Sequence, residues 1–143
     1  MNHTTCFANH FLIFQEVQSG VQHIVVLTTD GRVFQWGEIC SGEERQSSVF
    51  VPGFLTGNDM EKERIIQITC GEYHALALTS EGQVYSWGNN EVGQLGIGCD
   101  VAERGPTKVS GLNGFDSKIM QIACGGWTCF ALDTEGNVSE GTV

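Results

Sequence analysis

Short apolar runs separated by acidic-glycine pairs set the pattern of this chain. His74-Ala75-Leu76-Ala77-Leu78 alternates large and small side chains, which in a strand puts them on opposite faces. Thr79-Ser80-Glu81-Gly82 then reads as a hairpin turn, with glycine where the backbone takes a positive φ. Val84-Tyr85-Ser86-Trp87 is the returning strand, with Tyr85 and Trp87 on one face and Val84 and Ser86 on the other. Ile65-Ile66-Gln67-Ile68 and Ile119-Met120-Gln121-Ile122 each predict a strand ahead of such a hairpin. The expectation is an all-β chain of antiparallel meanders.

The pattern recurs. Gly20 opens GVQHIVVLTTDGRVFQWG, Gly71 opens GEYHALALTSEGQVYSWG and Gly125 opens GGWTCFALDTEGNV. His23, His74 and Thr128 follow at the same place in each unit, and Asp30-Gly31, Glu81-Gly82 and Glu135-Gly136 are the turn pairs. The first two units are offset by 51 residues and the last two by 54; the difference in length falls between Gly37 and Pro52, where the first unit is the shorter. Across Ile65–Val84 and Ile119–Val138, 10 of 20 positions are identical, against the one or two that chance would give, so the units arose by duplication. The organisation is an N-terminal segment 1–13, units at 14–64 and 65–118, and a short third unit at 119–143.

Composition narrows the function. Of 143 residues, 17 are acidic and 7 basic, a net charge of −10 that disfavours nucleic acid and anionic membrane. No stretch approaches the roughly 20 apolar residues of a membrane helix, and Phe11-Leu12-Ile13-Phe14 is too short for a signal core. Six cysteines without a CxxC motif fit free thiols in a reducing compartment, the cytoplasm or nucleus, better than a disulfide framework.

Cys70-Gly71, His74, Ala77-Leu78, Gly82, Val84-Tyr85, Trp87-Gly88, Asn90 and Gly93-Gln94-Leu95-Gly96-Ile97-Gly98 together resemble the repeat of the regulator of chromosome condensation (RCC1) family. A WD40 repeat would be shorter, with Asp after Trp, and a kelch repeat would carry a diglycine in every unit. The resemblance spans residues 14–138. It implies RCC1-type β-propeller blades, each a four-stranded antiparallel sheet, in an all-β fold that closes with seven. About two and a half units are present, so an incomplete ring is expected, from a truncated isoform or a fragment. The unclosed end sheets are expected to expose apolar faces and unpaired edges. VFQWG at Val33–Gly37, and GWT with T-E-G at Gly126–Thr128 and Thr134–Gly136, are similar to the secretion-regulating guanine nucleotide exchange factor branch.

The resemblance implies a protein-interaction module, with a small GTPase as the partner and exchange activity only in a complete propeller. The alternative is a non-catalytic binding module of a larger protein, such as a ubiquitin ligase or adaptor; chromatin attachment fits the charge poorly. No catalytic residue, cofactor or metal site is expected. Trp127, at the place of Gln22 and Tyr73, is the candidate contact residue. His23 and His74 read as core histidines, because a metal needs three or four converging ligands and the third unit offers Thr128. Cys70 and Cys124 stand where Ser19 stands and read as small residues in a tight strand. Cys124 and Cys129 are expected to face opposite sides and not to chelate together. The GQLGIG run is G-x-x-G-x-G after Trp-Gly, which argues against a phosphate loop.

Overall fold

The computed structural model describes residues 6–7, 10–11, 13–39, 53–99, 101–110 and 117–141. Pro52 and Cys40 therefore lie outside the described residues. Thirteen strands form four antiparallel sheets among the described residues. Strands β1 (Cys6–Phe7) and β2 (His10–Phe11) pair with each other. Blade 1 contains β3 (Phe14–Ser19), β4 (His23–Thr28), β5 (Val33–Gly37) and β6 (Gly53–Phe54) in that spatial order. Blade 2 contains β7 (Ile65–Cys70), β8 (His74–Thr79), β9 (Val84–Gly88) and β10 (Glu103–Lys108). Blade 3 contains β11 (Ile119–Cys124), β12 (Cys129–Asp133) and β13 (Val138–Glu140). The all-β meanders follow the sequence pattern, and the described residues do not close a ring. Met60–Lys62 adds one turn of 3-10 helix between blades 1 and 2.

The alternation in β8 is what lets a blade have two packed faces. Ala75 stands opposite Trp87 and Ala77 opposite Tyr85, while Leu76 faces Ser86. Trp87, Tyr85 and Leu76 thus each meet a small residue across the ladder, and the sheet stays close-packed on both sides. Ala75, Ala77, Tyr85 and Trp87 pack toward blade 1 with Val25, Leu27 and Val33. Leu76, Leu78 and Val84 pack toward blade 3 with Ile119, Ile122 and Ala131. Every residue of β8 and β9 is buried.

The hairpin turns join blades as well as strands. Gly31 and Gly82 have φ of 85° and 80°. Their carbonyls accept from the amides that begin the next blade, Ile65 N at 3.1 Å and Ile119 N at 3.2 Å. A Cβ on Gly82 would sit 2.5 Å from Lys118 Cβ, so glycine is required by both conformation and space. The first strands are linked through a side chain: Gln67 Nε2 donates to Ile122 O at 2.9 Å, and Ile122 N donates to Gln67 Oε1 at 3.0 Å. Trp87 Nε1 donates to Gln35 Oε1 at 2.6 Å between blades 2 and 1. In β10 the register shifts between Glu103 and Thr107, around a proline that has no amide to give the ladder.

The outer faces of the end blades are apolar, as an open stack predicts. Phe14 and Val17 are exposed on blade 1, and Phe130 and Val138 on blade 3.

Candidate functional site

Three equivalent turns lie side by side at one end of the blades. Each is closed by a glycine amide: Gly20 N donates to His23 O at 3.0 Å, Gly71 N to His74 O at 2.9 Å and Gly125 N to Thr128 O at 2.8 Å. The turns are also bonded to one another. Val21 N donates to Glu72 O at 2.9 Å, and Glu72 N to Gly126 O at 3.0 Å. Glu38 N and Asn89 N, each just past a Trp-Gly, donate to Gln22 O at 2.8 Å and Tyr73 O at 2.7 Å. The result is a rigid strip of backbone running across all three blades. Val21 and Trp127 are exposed on it, and Glu72 and Tyr73 are half-buried. Trp127 is 46% exposed and Val21 57% exposed. Two large apolar side chains held by a hydrogen-bonded ladder lose little entropy when a partner covers them.

Beneath this strip lie the histidines. His23 and His74 are buried, and neither ring has a hydrogen-bond partner among the described residues. Each ring lies over the glycine that opens its turn: a Cβ on Gly20 would be 2.1 Å from His23 Cε1, and one on Gly71 would be 2.0 Å from His74 Cε1. Burial, with His74 close by, lowers the His23 pKa to about 4, so the ring is neutral at pH 7. His23 is thus a core histidine that fills the space above a glycine.

Cys124 and Cys129 overturn the sequence reading. They do not face opposite sides. The turn 125–128 reverses the chain between them, so Cys124 ends β11 directly opposite Cys129 at the start of β12. Their sulfurs are 2.9 Å apart. Counting residues along one strand gave the wrong face because the two cysteines are on two strands. The missed signal was in the repeat itself: Cys70 and Ala75 flank the preceding turn and pair in the same way. The two thiols share a hydrogen bond in which either sulfur can be the donor; it lowers the Cys124 pKa, while burial raises that of Cys129. Burial also pushes Cys70 up to about 12, which fits a packed thiol rather than a nucleophile.

The glycine-rich run after β9 is a self-contained loop. Gly93, Gly96 and Gly98 have φ of 72°, 64° and 79°. Asn90 is fully buried and organises the loop. Its Oδ1 accepts from Leu95 N at 3.0 Å, and its Nδ2 donates to Cys99 O at 2.6 Å and Val101 O at 2.9 Å. The Gly93 and Gly96 amides donate to Asn90 O and Gly93 O, so these donors are engaged inside the loop rather than offered to an anion. A cleft of about 340 Å³ lies between this loop and blade 3, lined by Leu76, Leu95, Val109 and Phe130 among others. Among the described residues no helix is long and apolar enough to cross a membrane.

Comparison with known proteins places these features. The regulator of chromosome condensation (RCC1) repeat matches residues 81–132 and, in a second form, residues 65–94. Human HERC6, described as a probable E3 ubiquitin-protein ligase, is 38% identical over 131 residues, which is 87% of this chain and 12% of that protein. The human E3 ubiquitin-protein ligase HERC2 is 38% identical over 112 residues, 76% of this chain and 2% of that protein. The chain thus spans a small part of the relatives it matches. Human WBSCR16 superposes with a TM-score of 0.71 at 24% identity, covering 89% of this chain and 33% of that structure. Prp20p of Saccharomyces cerevisiae superposes with a TM-score of 0.69 at 21% identity, covering 96% of this chain and 32% of that structure. Repeat pattern, strand order and these matches agree: residues 65–132 carry regulator of chromosome condensation (RCC1) repeats, and the chain folds as blades of an RCC1-type β-propeller.

Proposed function

We propose that the chain is a protein-binding module whose contact surface is the turn strip carrying Val21, Glu72, Tyr73 and Trp127. The observation that carries this reading is the strip itself, a preorganised ladder with two exposed apolar anchors and one carboxylate. Aromatic anchors set on rigid backbone are where binding energy concentrates at protein interfaces. The net charge of −10 favours a protein partner with a basic patch over nucleic acid. Free thiols at Cys70, Cys99, Cys124 and Cys129 fit work in the cytoplasm or nucleus.

Two finer readings divide on the partner. In the first, the strip contributes to binding a small GTPase, with nucleotide exchange arising only in a complete propeller. Yeast Prp20p, of like fold, has been studied for its binding to Gsp1p and histones. Exchange of that kind needs tighter binding to the nucleotide-free GTPase than to the loaded one, and no covalent catalyst. In the second, the blades are the non-catalytic arm of a larger ligase; the 38% identity to HERC6 and HERC2 favours it. The test is binding of the purified chain and its Trp127→Ala variant to a panel of small GTPases, nucleotide-free and GDP-loaded. Preference for the nucleotide-free form, weakened at least tenfold by Trp127→Ala, supports the first reading. No GTPase bound in either form removes it and leaves the second. Binding that Trp127→Ala does not change refutes the strip as the contact surface.

A further inference from the structure

Three metal-ligating side chains converge where blade 2 meets blade 3. The donor atoms of His74, Cys124 and Cys129 all lie within 4.8 Å of one another. His74 comes from β8, Cys124 from the end of β11 and Cys129 from the start of β12. His74 is fully buried, and both of its ring nitrogens are without a hydrogen-bond partner among the described residues. An unpartnered imidazole is costly in a packed core, and a metal would satisfy it. Cys129 is 3% exposed, and Cys124 is half-buried, which leaves a path from solvent.

We propose that His74, Cys124 and Cys129 form a binding site for a thiophilic d10 cation, with zinc as its representative, and that the ion staples blade 3 to blade 2. Two thiolates and an imidazole are the donor set such ions select, and an exogenous ligand completes a tetrahedron. Two thiolates on tetrahedral zinc stand about 3.8 Å apart, from Zn–S distances near 2.3 Å. The pair here is at 2.9 Å, so binding opens it by less than about 1 Å, a movement that rotation of the half-buried Cys124 side chain supplies. The repeat contains its own comparison. Between blades 1 and 2 the corresponding residues are His23, Cys70 and Ala75, and Cys70 pairs with Ala75 as Cys124 pairs with Cys129. That set lacks one thiol, so the same architecture provides a three-ligand site at only one of the two junctions.

The test uses the 143-residue chain, purified in a phosphine reductant and titrated with Zn(II) and Co(II). One equivalent should bind per chain, with Co(II) giving thiolate charge-transfer and tetrahedral ligand-field bands, and Zn(II) raising the urea midpoint. Cys124→Ser and Cys129→Ala should abolish all three effects. Cys129→Ala reproduces the Ala75 of the preceding junction and keeps the buried position apolar, so its fold is expected to survive; circular dichroism checks this. Cys70→Ser and Cys99→Ser should leave binding unchanged. Co(II) bound without thiolate bands, equal binding by Cys124→Ser, or binding lost equally in Cys99→Ser would each overturn the site. So would failure to take up zinc under reductant in a chain whose only chemistry at this pair is a Cys124–Cys129 disulfide in air.

Discussion

Replacing Trp87 by phenylalanine measures how much one blade depends on the next. Trp87 is fully buried in the core between blades 1 and 2, and its Nε1 reaches Gln35 Oε1 at 2.6 Å. The substitution removes the edge of the indole that carries the donor. The space it leaves costs about 1 kcal/mol at about 24 cal/mol per Å³ of cavity. The Gln35 carbonyl also loses its partner, which costs about 1–2 kcal/mol at a partly buried position where water gives some compensation. The expected loss is therefore about 2–3 kcal/mol. Gln35→Leu removes the acceptor while keeping an apolar body of similar size. The double variant should be less destabilised than the sum of the singles by about 0.5–1.5 kcal/mol, the worth of one hydrogen bond. Urea unfolding followed by far-UV circular dichroism, in reducing buffer and with the slope checked for constancy, gives all four values. A Trp87→Phe loss under about 0.5 kcal/mol, or strict additivity in the cycle, would refute the claim that this bond couples the blades.

Three further outcomes follow from the same geometry. The folded-state pKa of His23, about 4, lies below the ordinary histidine value of about 6.5, so its contribution is complete above pH 6.5 and is lost as pH falls toward 4. The loss is at most about 3 kcal/mol. Asp30 and Asp133, both held near pH 2, lose theirs only below about 3.8, so a urea midpoint that stays flat between pH 7 and 4.5 would contradict the His23 assignment. Gly71→Ala drives a methyl to 2.0 Å from the His74 ring and should cost about 1–3 kcal/mol, whereas Gly105→Ala, with nothing within 4 Å, should stay within about 0.5 kcal/mol; thermal unfolding of the pair tests this. Asn90→Ala strips three hydrogen bonds from the glycine-rich loop, and amide exchange at Leu95 should accelerate at least tenfold; unchanged protection would show that the loop is held by its glycines alone.

Much of the blade was legible from residue order. The period of 2 in HALAL and VYSW placed the strands and paired large with small, because side-chain direction in a strand depends only on position parity. The acidic-glycine pairs placed the hairpins, because few other residues accept the positive φ seen at Gly31, Gly82 and Gly136. The histidine above each glycine was visible as a repeating residue, although its stacking was not. Cys124 and Cys129 were misread because parity was carried through a turn, where it no longer holds. The turn that carries Trp127 could be read from the repeat, but Val21 and Glu72, on the other two turns of the strip, belong to other units, and nothing local shows that three turns bond edge to edge.

The sequence by itself determined the repeating unit, its strands and turns, and its family, because these rest on interactions within about 30 residues that a linear pattern records. Tertiary structure alone decided which blade faces meet and which side chains share a site. His74 reaches Cys124 and Cys129 across a blade junction, 50 and 55 residues away along the chain. That approach depends on how one sheet packs against the next, a geometry set by the volume of every buried side chain at the interface rather than by any single motif.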